Sequence, residues 1–177
     1  MEDFTPPNNT KGADVVEQSV CLNANYTLVS QTALQKMFNA TTNGALILRA
    51  GTTYYFECDF DLSAMSVTSG GFGFGFLGTA TFNSLKYTSF ATKSTIGTPT
   101  APQITTVTVA TSTNIVTATI TATGHAKITG IIRVNAGGTL IPSVSLGIAS
   151  AAIVGINSKF QIWQVGNNVM TNTGNWN

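Results

Sequence analysis

In 177 residues the chain carries eight Lys and Arg, seven Asp and Glu and one His, for a formal net charge of +1, with 43% hydrophobic and 8% charged residues. An ordinary soluble domain is about one-quarter charged, so Thr and Asn supply the polarity here, and so poorly charged a surface is predicted to be covered largely by copies of the chain or by a partner. The length predicts one domain with a sizeable core; five bases spread over residues 62–177 are too sparse for a nucleic-acid groove, and no run of 18 apolar residues offers a membrane span.

Residues 1–29 are polar, contain Pro6-Pro7 and show no sustained hydrophobic period, which predicts an extended arm. Its start lacks the basic and apolar regions of a signal peptide, so synthesis in the cytoplasm is expected. Residues 31–38 are the one helical candidate: Ala33, Leu34, Met37 and Phe38 would share a face, and Ser30 would cap it. From residue 45 strands dominate. A short apolar run over 45–49 turns at Ala50-Gly51 into 52–62, where Tyr54, Phe56, Cys58, Phe60 and Leu62 point one way and Tyr55, Glu57, Asp59 and Asp61 the other. Ser69, Gly70 and Gly71 turn into 72–77, where Phe72, Phe74 and Phe76 alternate with other residues. Further strands are predicted over 80–91, 104–110, 115–123, 125–134, 139–146 and 159–165, with a proline-containing loop over 92–102 and a loop-like tail after Gly166. Segments 104–110 and 115–123 read as a Thr/Val ladder with Val116, Ala118, Ile120 and Ala122 inward. Ile128, Ile132 and Val134 are inward on the following strand. Strands at this spacing, with turn signals between them, predict an all-β sandwich or barrel. No repeat of 20–50 residues suggests a propeller or solenoid.

Few residues carry chemistry. Gly73, Gly75 and Gly78 spell GxGxxG, but they lie in an alternating strand with no helix behind them, so close approach of a neighbouring backbone or of a partner's side chain is expected rather than a phosphate. Glu57, Asp59 and Asp61 line one strand face at steps of about 7 Å. They are the candidates for a metal, with Ca²⁺ as the chemistry that uses several carboxylate oxygens; the competing reading is an acidic face solvated or paired with bases of a neighbouring strand or subunit. His125 stands alone behind Gly124, where a polar turn residue is ordinary, and a catalytic triad would depend on it entirely. All acids of the domain proper share one strand face, which gives no opposed carboxylate pair for glycoside hydrolysis. The chain is therefore expected not to be an enzyme and to need no cofactor. Cys21 and Cys58 form no metal motif; Cys58 is expected as a buried thiol, and a bond to Cys21 stays open. All seven acids precede Leu62, together with three of the eight bases, so the two parts carry −4 and +5. Self-complementarity between subunits is one use of such an asymmetry.

Two blocks, QKMFNATTNGALILRAGTTYYFECDFDLSAMS (35–66) and GHAKITGIIRVNAGGTLIPSVSLGIASAAIVGINSKFQIWQVG (124–166), resemble a module of tailed-bacteriophage virion proteins. It is similar to the trimeric tumour-necrosis-factor/C1q-type jelly roll at fibre tips and on capsids. The resemblance implies an antiparallel two-sheet jelly roll over 30–177 with a short C-terminal tail, one short helix and the arm over 1–29. It implies a homotrimer without enzymatic activity on the virion surface, with the major capsid protein as partner. A long shaft is missing from this chain. A capsid decoration or head-fibre protein is therefore the first expectation, and Phe4, Pro6 and Pro7 in the arm are the attachment candidates. A receptor-binding tail-fibre tip, with a host surface glycan as partner, and a carbohydrate-binding module are the alternatives. Phe160, Ile162 and Trp163 in the aromatic last strand are the trimer-interface candidates.

Overall fold

The computed structural model describes residues 17–38, 45–68, 70–95, 98–99, 103–117 and 122–167. Fourteen strands appear among them: β1 (Gln18–Cys21), β2 (Tyr26–Thr27), β3 (Gln35–Lys36), β4 (Leu46–Leu48), β5 (Thr52–Ser63), β6 (Phe72–Leu77), β7 (Thr81–Thr95), β8 (Thr98–Pro99), β9 (Gln103–Val107), β10 (Thr113–Val116), β11 (Gly124–Ala136), β12 (Gly138–Leu146), β13 (Ile153–Val154) and β14 (Lys159–Asn167). They form two antiparallel sheets. The larger, of nine strands, runs β1-β14-β5-β11-β7-β8, with β9 also on β7 and β13 bridging β5 to β2. The smaller, of five, runs β10-β6-β12-β3, with β4 also on β12.

The threading is that of a jelly roll. Starting at β1, the chain alternates between the sheets: β3 and β4, β5, β6. After β6 and β10, neighbours in the smaller sheet, it alternates again through β11, β12 and β14. These eight positions make two four-stranded sheets, β1-β14-β5-β11 facing β10-β6-β12-β3/β4, the double Greek key. The sandwich adds one device to that plan. Between β6 and β10 the chain crosses over to lay β7 and β9 beside β11, so β11 is covered and β9 becomes an outer strand.

Strict alternation builds the core. Tyr54, Phe56, Phe60, Phe74, Ile128, Ile132 and Val134 are all buried, as their strand phase predicts, while Ile120 lies outside the described residues. Phe56 is the hub: it stacks on Phe160 at 5.4 Å between ring centroids and meets Phe76 edge-on at 5.3 Å. Edge and offset geometries of this kind add to the burial itself. Tyr87 enters the same cluster and donates its hydroxyl to the Phe74 carbonyl at 3.0 Å, so its polar end is satisfied indoors. The GxGxxG glycines serve packing. A Cβ at Gly75 would stand 2.8 Å from the Ala110 carbonyl oxygen, and one at Gly73 2.8 Å from that of Thr113, so the chain around β10 lies where side chains would otherwise be.

Four expectations need correction. The helix over 31–38 is absent: Gln35–Lys36 forms β3 against Ser143 and Val144, and Met37 and Phe38 are buried. Two turns of helix bury too little to hold alone, and Gln35 instead pins the chain by closing both hydrogen bonds with the Val29 backbone, at 2.9 and 3.1 Å. Residues 18–28 do not belong to an arm: Gln18–Cys21 completes the edge of the larger sheet and Leu22 and Leu28 enter the core, while residues 1–16 lie outside the described residues. The loop over 92–102 begins later: β11 supplies ladder partners as far as Lys93, so β7 continues to Thr95. Segments 104–110 and 115–123 do not form one ladder; β9 pairs with β7 and β10 with β6, in opposite sheets. Both cysteines are free, Cys58 in the core and Cys21 exposed on the edge strand.

Candidate functional site

The outer face of the larger sheet gathers Glu57, Asp59, Asp61, His125 and Trp163 from the residues singled out in the sequence. Because β5, β11 and β14 are in register, the positions that alternation turns outward fall into rows across the strands. One row is Trp163, Tyr55, Ile131 and Lys86; the next is Gln161, Glu57, Thr129 and Thr88; the third is Lys159, Asp59, Lys127 and Phe90. Asp61, His125 and Thr92 make a fourth. The face is therefore zoned, with aromatic and aliphatic surface towards one end and charge towards the other.

At the charged end each acid has a polar or basic neighbour. Asp59 stands between Lys127 on β11 and Lys159 on β14. His125 Nδ1 lies 2.8 Å from Asp61 Oδ1, and its Nε2 lies 3.7 Å from Asp59 Oδ1. Glu57 accepts a 3.5 Å hydrogen bond from the Tyr55 hydroxyl. Thus Glu57, Asp59 and Asp61 do not converge as a metal cage; each is matched by a neighbour on its own or the next strand. Among the described residues no cluster of three His, Cys, Asp or Glu could hold a metal ion. The sequence showed the carboxylates on one face but not their partners, because strand order is a tertiary fact. His125 lies opposite Asp61 on the outer face of β11.

At the aromatic end, the Tyr55 and Trp163 rings meet at 4.9 Å between centroids, tilted by 49°. Both remain part-exposed, and Ile131 beside them is 45% exposed. Trp163 is the one member of the interface trio that presents a surface. Phe160 and Ile162 have the opposite phase and are fully buried between the sheets, so their role is in the core. Phe4, Pro6 and Pro7 lie outside the described residues. Phe90 and Ile104, opposite one another on β7 and β9, add an exposed apolar pair, 47% and 69% accessible.

Alongside, across β7 and β11, runs an open groove of about 780 Å³ lined by Asn83, Ser84, Leu85, Lys86, Thr108, Ile131 and Arg133. Sequence reading missed it. The strand over 80–91 was legible, but its phase was not, since Phe82, Leu85, Tyr87 and Phe90 do not share one parity.

No family model matches the chain, and no curated protein matches its sequence. Among solved structures, the chain is similar to the N-terminal endo-1,4-beta-D-xylanase 10B of Clostridium thermocellum, comprising CBM22-1 and GH10 modules and complexed with xylohexaose. Identity is 13% and the TM-score 0.31, over 90% of this chain and 30% of that one. The chain thus spans less than a third of the length of the protein it matches.

Proposed function

We propose that this chain is a non-enzymatic structural protein of a tailed-phage virion, a homotrimer displayed on the capsid surface. The observation that carries this reading is the pair Trp163 and Tyr55, part-exposed aromatic rings in contact on adjacent strands of one sheet face, in a chain with 8% charge. Apolar surface set among paired charges suits contact between subunits, whose interfaces are core-like when obligate. A closed ring would use this face heterologously, each protomer offering a different patch to the next. The eight-strand order supports the same reading, being the one that the resemblance of residues 35–66 and 124–166 implies. Sedimentation of the purified protein should give a trimer at micromolar concentration, and microscopy should locate it on purified particles. A stable monomer, or particles that lack it, overturns the reading.

A second reading, a receptor-binding tip or carbohydrate-binding module, is favoured by the open groove across β7 and β11. Subunit contacts alone do not call for two bases there with no acid among the described lining residues.

A further inference from the structure

Of the outward bases on the larger sheet, two differ from the rest. Lys127 and Lys159 both stand opposite Asp59. Among the described residues Lys86 and Arg133 have no such match. The positions beside Lys86 in the ladder are Ile131 on β11 and, one row on, Thr88 and Thr129; those beside Arg133 are Thr53 on β5 and Ser84 on β7. The ion pairs among the described residues are those of His125, at the opposite end of the face. Two cations on adjacent strands without a counter-charge repel each other mildly, and they raise the local potential for any anion that enters.

They also share a concavity. Lys86 and Arg133 line the 780 Å³ groove together with Ser84, Thr108, Asn83 and Ile131, and none of the described residues lining it carries a carboxylate. A volume of this order suits a ligand of two or three sugar rings. The Arg fork matches a planar oxyanion in two-point geometry, and Lys adds a point charge. Hydroxyl and amide groups around them are the partners that sugar hydroxyls use, and Ile131 offers an apolar patch for a ring face.

We propose that this groove binds an anionic saccharide, its carboxylate or sulfate held between Lys86 and Arg133 and its hydroxyls by Asn83, Ser84 and Thr108. The inference deepens the glycan-binding reading above and rests on it. Binding should weaken with salt, because the contact is charge-assisted and solvent-exposed.

The test is calorimetric and NMR titration of the full chain, in its native oligomeric state, with 3′-sialyllactose, sulfated lactose, lactose and inorganic sulfate. The expected result is saturable binding of one or both acidic sugars, none of lactose, and at least about tenfold loss in Lys86→Gln and Arg133→Gln, the scale of one charge-assisted hydrogen bond. Lys127→Gln, at the charged end, should bind like the parent. Which acidic sugar binds separates a carboxylate from a sulfate ligand. Saturation by inorganic sulfate at the same affinity overturns the saccharide assignment. A sugar that binds equally well to both groove variants overturns the groove but leaves the glycan-binding reading standing. No binding of any sugar overturns both. If Lys86→Gln or Arg133→Gln instead dissociates the oligomer, the groove is filled by another copy, and the proposal fails.

Discussion

Phe56 shows how much rests on one side chain. It is fully buried and touches aromatic rings from β6, β7 and β14, so it ties both sheets together. Phe56→Ala should cost about 3–5 kcal/mol, the usual range for a large core aromatic removed, read as a lower urea midpoint at unchanged slope. Gly130 is the opposite case. A Cβ there would meet the Lys86 carbonyl at 2.6 Å and the Phe56 ring at 2.7 Å. Gly130→Ala should therefore destabilise by roughly 1–3 kcal/mol, as overpacking does, although alanine is the better strand residue by propensity. Titration adds a third expectation. Burial holds the Cys58 thiol well above its usual range, with Asp59 adding to the effect, and pushes Tyr87 up to about 12, a hydrogen bond with Thr113 opposing. Both groups ionise more readily in the unfolded chain. Their contribution to stability is thus complete below the unfolded values and is lost as pH rises from there towards the folded ones. Chemical denaturation should show stability falling from about pH 8.5 upward, and Cys58→Ala with Tyr87→Phe should flatten that slope. In the native state at neutral pH, a thiol reagent should label Cys21 and spare Cys58.

At the level of elements, the edge and the inserted hairpin behave differently. β1 is short and pairs on one side, yet Leu22 just beyond it and Leu28 after β2 are buried. A chain beginning at Val29 should melt at a lower temperature than the full chain while keeping its β circular dichroism, because the eight-strand plan loses one edge strand rather than a central one. β7 is long because two neighbours feed it: β11 on one side and β9 on the other. The hairpin also blunts what would otherwise be a bare β11 edge. Alternation made β5 and β11 readable in advance, since both keep one parity over a dozen residues. β3 was not readable as a strand, because two residues have no period; the Val29 backbone contacts and β12 decide it. The apparent helix there came from four apolar residues whose spacing also suits a chain dropping Met37 and Phe38 into a core.

For the molecule as a whole, the proposed trimer puts the Trp163 and Tyr55 rings between subunits. Trp163→Arg should shift sedimentation from trimer to monomer or aggregate, with little change in the monomer's β-structure, because the ring lies outside the sandwich core. Trp163→Phe, which keeps the apolar surface, should retain the trimer. If Trp163→Arg remains trimeric, that pair is not the contact and another face must be.

The sequence alone determined the all-β class, the inward and outward parity of β5 and β11, the buried state of Cys58, and the shared face of Glu57, Asp59 and Asp61. Each follows from a period of two along a strand, which the pleat imposes locally. It also indicated that the GxGxxG glycines make room for backbone. Tertiary structure alone decided which strands lie side by side. That order brought His125 against Asp61, set Lys127 and Lys159 on the strands either side of Asp59, and placed Lys86 diagonal to Arg133 with no acid beside them among the described residues. The reason is physical: alternation sets which way a side chain points, whereas ladder hydrogen bonds between segments far apart in sequence set what it points beside.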